Sequence, residues 1–392
     1  MFVPLPNFGK FGVVSDTLNS ALPIGTWTDA NNMRFSGIQM EKMLESTQNS
    51  ALLDADGVVV GYMRWAQGWS DGRSTYLAVA TNDRLWFLVR HAADAAGYLE
   101  DATRPGGVYS AQGEWDSFAW GNTCIFNNGI DPPQIYNADT GYFEDLPNWG
   151  LISSADDISA GAEPSIDTNA SCRMLRPYKN YLAAIGITES GVYQPNAVWW
   201  SDATTLATYR SNTIDGGGPP SWDYESPATL SGKSEQGAGS GKLVCLAELG
   251  EAMVLYTESA SFFMQFTRGS LVMGFRRVFG KGAAGLHCVA EFNNRHFVVG
   301  KDQVYVHDGS LPSLIAKDRV ETEFYTRIGK GGRFGGAGNV NWDRLQVSHN
   351  PDRKEITVYM REGAAVRPWI LADGAWDDTG YWDDRSEWDD GI

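Results

Sequence analysis

Apolar residues in this chain gather in short runs, each broken by a polar turn and followed by a second run rich in rings. Leu77, Ala78, Val79, Ala80 and Thr81 lead through Asn82 and Asp83 into Leu85, Trp86, Phe87, Leu88 and Val89. His296, Phe297, Val298, Val299 and Gly300 lead through Lys301 and Asp302 into Val304, Tyr305, Val306 and His307. Runs this short, bounded by turn residues and rich in β-branched and aromatic side chains, predict paired strands. The same unit recurs where 123–126 meets Asn127, Asn128 and Gly129 and returns at 134–136. It is also read in 181–185 with 197–200, 253–256 with 262–266, and 355–359 with 369–371, giving six hairpins.

One hairpin cannot bury its own apolar faces, so six predict sheets that share a core. Their first strands recur at intervals of roughly 40–70 residues, which suits a four-stranded propeller blade of about 40–50 residues with insertions. The pattern predicts an all-β chain, a β-propeller of about six to seven blades with long inter-blade loops. Residues 1–392 form a single domain in this reading, and 1–45 supply an N-terminal arm or closing strands. Helical patterns are short, at 29–32 and 202–209. Two segments read as loops. One is a Gly-rich insertion at 212–241, with Gly216, Gly217, Gly218, Pro219 and Pro220 near its start and Gly237, Gly239 and Gly241 near its end; the other spans 330–338 with Lys330 and Arg333.

Composition supports a large β core. Fifteen Trp, 16 Tyr and 17 Phe can fill sheet interfaces, and 44 Gly suit a turn-rich chain. Charge removes one class of partner: 31 Lys and Arg against 48 Asp and Glu give a formal −17, which disfavours a tight sequence-specific grip on DNA phosphates. An acidic segment at 373–392 carries Trp-Asp-Asp three times, at Trp376, Trp382 and Trp388. It reads either as a solvated edge or as an acidic lining or docking tail. Cys124, Cys172, Cys245 and Cys288 are far apart and read as buried free thiols in a reducing compartment. Neither a secretory leader nor a membrane-spanning run is read in the sequence, so no membrane insertion is expected.

Candidate chemistry is sparse. Ser231, Gly232, Lys233 and Ser234 evoke a phosphate loop, but Pro227 stands where its first glycine belongs. Gly239 directly precedes Ser240, which breaks the spacing of a nucleophile elbow. His91, His287, His296, His307 and His349 are too dispersed in sequence to predict a metal site. Carboxylates beside aromatic rings leave open a carbohydrate-binding or glycoside-cleaving propeller, and Trp69 to Tyr76 only approximates the turn expected of sialidases. No catalytic, cofactor-binding or metal residue is assigned, no cofactor is expected, and the chain is not read as an enzyme.

Several phrases together resemble the tail nozzle proteins of short-tailed bacteriophages, also described as tail tubular protein B or packaged-DNA stabilisation protein. They are residues 23–35 with Glu41, Lys42 and Met43; 80–86; 126–134; 198–202; 255–259; and 299–309. The similarity covers residues 20–330. It implies a structural virion protein assembled in the host cytoplasm, located in the virion tail and forming a homo-hexamer. Below the head-to-tail adaptor ring, and next to other tail proteins such as fibres, needle or tip, that ring encloses the genomic DNA, retains it and permits its ejection. Acidity suits such a passage, because carboxylates repel a duplex that cations would retard. The 212–241 and 330–338 loops are the expected neighbour or gate contacts.

Overall fold

In the computed structural model the described residues are 14–378 apart from 19–20, 23–25, 27, 29–32, 37–38, 43–52, 62, 71–73, 90–97, 122, 153–164, 204–220, 268–271, 318–319, 329–341, 353–354, 363–364 and 373–374. The chain is all-β apart from short helical turns, and these residues contain six four-stranded antiparallel sheets, each built from strands consecutive in the chain. The first sheet runs Trp65–Ser70, Thr75–Ala80, Leu85–Val89 and Tyr98–Asp101; the second runs Asp116–Trp120, Thr123–Asn127, Gln134–Asn137 and Tyr142–Asp145. The third runs Ser171–Tyr178, Tyr181–Glu189, Val192–Trp200 and Gly232–Glu235; the fourth runs Leu243–Leu249, Ala252–Thr257, Ser261–Phe266 and Met273–Phe279. The fifth runs Val289–Phe292, Arg295–Val299, Val304–His307 and Ser313–Leu314; the sixth runs Leu345–Asn350, Glu355–Glu362, Ala365–Ala372 and Ala375–Asp378.

Every hairpin read from the sequence is the second and third strand of one of these sheets. Thr123–Asn127 and Ala252–Thr257 are buried at every position, and a strand covered on both faces shows as an unbroken apolar run. Outer strands lack that signature. Gly232–Glu235 pairs with Ala197 to Trp200, so part of the 212–241 segment is an edge strand and not a loop. Its glycine has a steric reason, since a Cβ at Gly232 would run into the Trp200 indole.

The Cα positions group into two compact units, 49–277 and 1–48 with 278–392. In the first unit consecutive sheets touch through their first strands. Between the first two sheets lie Trp69, Leu85, Trp115, Phe126 and Phe143, with Phe126 and Phe143 edge-on at 5.3 Å. Between the second and third lie Phe118, Trp120, Leu182, Trp199 and Trp222. Burying each such ring contributes roughly 1.5–3 kcal/mol, which makes these slabs the main apolar term holding sheet to sheet. All four cysteines are buried and free.

Gly150 precedes a two-residue pairing of Leu151–Ile152 with Ser165–Ile166. Its φ is +76°, and a Cβ there would press on the Asp167 carbonyl, whose own N–H donates to Gly150 O at 2.8 Å. Gly150→Ala should lower stability by about 1–3 kcal/mol through backbone strain and this clash. Urea unfolding with an unchanged midpoint would contradict that.

In the second unit the first strands of the fifth and sixth sheets touch, and Val347 N–H donates to His287 O at 2.8 Å. Helix α1, Glu321–Ile328, is absent from the sequence reading because eight residues are barely two turns, too short for an apolar face to stand out from a strand-length run. Asp16 satisfies one of its free amides by accepting Thr322 N–H at 2.8 Å. The hairpin Met33–Ser36 and Gln39–Lys42 lies against the last two strands of the sixth sheet. The expected helical stretch at 29–32 and the 330–338 loop lie outside the described residues, as do 204–209, 212–220 and 379–392.

Candidate functional site

Four of the phrases singled out in the sequence, 80–86, 126–134, 255–259 and 299–309, span the connections between second and third strands, while 198–202 closes a third strand, and their polar atoms tie neighbouring segments together. Thr81 N–H donates to Arg84 O at 2.9 Å, Thr257 N–H to Ala260 O at 2.8 Å, and Gly300 N–H to Gln303 O at 2.9 Å. The opening carbonyl of two of these turns then accepts an aromatic donor from farther along the chain. Trp115 Nε1 donates to Thr81 O at 2.7 Å, and the Tyr325 hydroxyl donates to Gly300 O at 2.7 Å. In the third sheet Trp199 Nε1 donates to Trp222 O at 2.8 Å, and Ser201 Oγ accepts Leu182 N–H at 2.9 Å.

The segment from Asn127 to Gln134 forms the densest of these clips. Asn128 Oδ1 accepts the amides of Ile130 and Asp131 at 3.0 and 2.8 Å, while its Nδ2 donates to Asp131 Oδ2 at 2.6 Å. Asp131 also accepts Ser110 N–H at 2.7 Å and pairs with Arg104 at 3.2 Å. Arg104 reaches Asp145 at 3.2 Å and lies 4.9 Å over the Tyr109 ring. Burial pushes the Tyr109 hydroxyl well above its usual range, so it stays protonated and donates to Gln134 Oε1 at 3.2 Å. Asn127 Nδ2 donates to Cys172 O at 2.6 Å and so carries the clip to the third sheet. Asp131→Ala strands several of these donors, and a loss of about 1–3 kcal/mol is expected. It should be read as faster amide exchange at Ser110, whose acceptor is removed; unchanged exchange there would refute the clip.

Asp116 and Arg176 join the first strands of the second and third sheets. Arg176 donates from Nη1 at 2.5 Å and Nη2 at 2.8 Å to the two oxygens of Asp116, whose side chain is 1 % exposed. Burial lowers the guanidinium's affinity for its proton, but Asp116 beside it more than offsets that, so the pair is ionic. Burial also pushes the neighbouring Cys245 thiol up to about 12 and Cys172 well above its usual value. Both thiols are therefore protonated at neutral pH and poor nucleophiles.

Lys233, the cation of the rejected phosphate-loop segment, lies in an extended edge strand. It pairs with Glu189 and sits 4.8 Å over the Tyr224 ring, while the Tyr224 hydroxyl donates to Glu189 at 2.8 Å. An extended strand offers no cluster of amides for a phosphate. Trp69 and Tyr76, the ends of the sialidase-like approximation, are stacked cross-strand partners at 5.2 Å. The histidines are less dispersed than their numbering implies, since His296 stands opposite His307. Among the described residues no group of three or more His, Cys, Asp or Glu is placed to hold a metal ion. His91 lies outside the described residues.

No protein-family model matches the chain, and no curated protein matches it. Solved structures similar to it include a functionally unknown protein from Desulfotomaculum acetoxidans, at 10 % identity and TM-score 0.44, covering 81 % of this chain and 86 % of that one. A quinoprotein alcohol dehydrogenase-like protein from Bacteroides thetaiotaomicron is similar at 12 % identity and TM-score 0.40, covering 82 % and 67 %. An auxiliary nutrient binding protein from the same species is similar at 10 % identity and TM-score 0.39, covering 79 % and 68 %. Likeness at this level assigns none of those descriptions to this chain.

Proposed function

We propose that this chain is a structural subunit of the tail nozzle of a short-tailed bacteriophage. In this reading the four-stranded sheets are blades of a β-propeller, and copies of the chain form a hexameric ring below the head-to-tail adaptor that encloses the DNA, retains it and lets it leave. One observation carries the reading: two of the phrases that resemble nozzle proteins, 80–86 and 126–134, clip neighbouring sheets together through Trp115 on Thr81, Arg104 on Asp131 and Asn127 on Cys172, and a third, 299–309, fastens helix α1 to the fifth sheet through Tyr325 on Gly300. What is shared is then an architecture and not a reaction site. The charge of −17 supports the same role, because a duplex passing an acidic wall is repelled and not held.

The assembly is tested by negative-stain imaging of the purified protein alongside antibody labelling of phage particles. Six-fold rings, with label at the tail, are the expected result. Protein that forms no ring, labels no tail and binds or cleaves a glycan would overturn the reading in favour of a carbohydrate-active module.

A further inference from the structure

A buried pair of imidazoles sits on the fifth sheet, apart from the clips described above. His296 is fully buried and His307 is 3 % exposed; they face each other across the second and third strands with ring centroids 5.4 Å apart and planes at 83°. Phe279 packs edge-on against His307 at 4.8 Å, and the Tyr305 ring lies at 6.0 Å. His307 Nδ1 accepts Gly309 N–H at 3.1 Å, so in the neutral ring Nε2 carries the hydrogen. That bond fixes the turn leading to the outermost strand, Ser313–Leu314, which is only two residues long and contributes few ladder bonds of its own.

The ionisable groups around the pair come from each neighbouring element. The first strand places Glu291 opposite His296, the second carries Arg295, and the third contributes Tyr305 and is followed by Asp308; Met273–Phe279 packs Phe279 on His307 and carries Arg276 and Arg277, both exposed, and Ser313–Leu314 contributes no ionisable group. Burial, and then the His296 ring, push the His307 imidazole down to about 4, with Asp308 opposing weakly. Asp308 is exposed and ionised, its carboxyl held low by bonds from Ser310 Oγ at 2.5 Å and Ser310 N–H at 3.2 Å.

We propose that His307 is a proton-operated latch, whose neutral ring holds the outer strand of the fifth sheet in place and whose protonation releases it. A proton taken from solvent binds the Nδ1 lone pair and turns the acceptor of Gly309 N–H into a donor, so two N–H groups face each other and the bond is lost. Burial and the neighbouring His296 ring both disfavour the imidazolium at that position. The Asp308 carboxylate, one residue away and exposed, is the group that can receive its N–H. Moving there withdraws the ring from under the sheet and unfastens residues 308–315, where Leu311 is already 83 % exposed.

Amide hydrogen exchange of the full chain, corrected for intrinsic rates, tests the latch. Between neutral pH and pH 4 the wild type should lose protection at residues 304–315, ahead of the sixth sheet, with the slope of about tenfold per pH unit that one linked proton gives. His307→Asn keeps an acceptor for Gly309 at the position of Nδ1 and cannot take up the proton, so its protection should stay flat over the same range. The same slope in both proteins, or loss spread evenly over the fifth and sixth sheets, would overturn the proposal. Ring 15N shifts of the wild type give a reading independent of that variant. Bulk protonation of His307 Nδ1 must occur where the fall in Gly309 protection levels off, and protonation with Gly309 still fully protected would sink the latch.

Discussion

Replacing Arg176 with methionine should destabilise the chain by about 3–5 kcal/mol, because it leaves Asp116 desolvated without its cation. The cost falls on one place: Asp116 is 1 % exposed, and both its oxygens are taken by Arg176 across the contact between the second and third sheets. The double replacement Asp116→Leu with Arg176→Met removes both charges together. It should regain most of the loss, since a buried pair and a well-packed apolar substitute are often close in free energy. Urea unfolding of the two variants decides. A double variant as unstable as the single one would mean that the pair itself stabilises the fold, and not only that a lone buried carboxylate is costly.

Trp199→Ala should be comparably severe, at about 3–5 kcal/mol. Trp199 is fully buried, with Trp149 at 5.0 Å, Trp222 edge-on at 5.5 Å and Tyr224 edge-on at 5.6 Å. Truncation opens a cavity in that cluster and also strips the indole donor from Trp222 O. Trp199→Phe separates the two effects. It keeps most of the ring contact and loses the hydrogen bond, so roughly 1–3 kcal/mol is expected. If alanine and phenylalanine cost the same, packing around Trp199 contributes little and the hydrogen bond dominates.

The central strands of each sheet were legible because burial on both faces writes itself as an apolar run. Outer strands such as Gly232–Glu235 and Ser313–Leu314 were not, since pairing at four and two positions with a well-formed neighbour suffices for a strand whose own residues show no pattern. The turn phrases stood out, but their roles did not. The partner of Asp131 is 27 residues away, that of Asn127 is 45 away and that of Asp116 is 60 away, and no local spacing announces such pairs. The histidine pair is a different case. Counting register outward from the turn at Gly300 and Gln303 puts His296 opposite His307, so the signal was present in the hairpin and was obscured by treating each histidine as a separate position.

The order in which the chain leaves the ribosome has an unequal effect on its two units. Residues 49–277 are contiguous, and each of the first three sheets can zip as soon as its own four strands have emerged. Residues 1–48 must wait, because the amide that Asp16 accepts belongs to Thr322, 306 positions later, and the strands beside Met33–Ser36 are the last of the sixth sheet. An incomplete chain therefore carries an unsatisfied leading segment that only finished synthesis can settle. A ribosome stalled before residue 365 should yield a nascent protein whose first three sheets resist protease and which is cut beside Met33–Ser36.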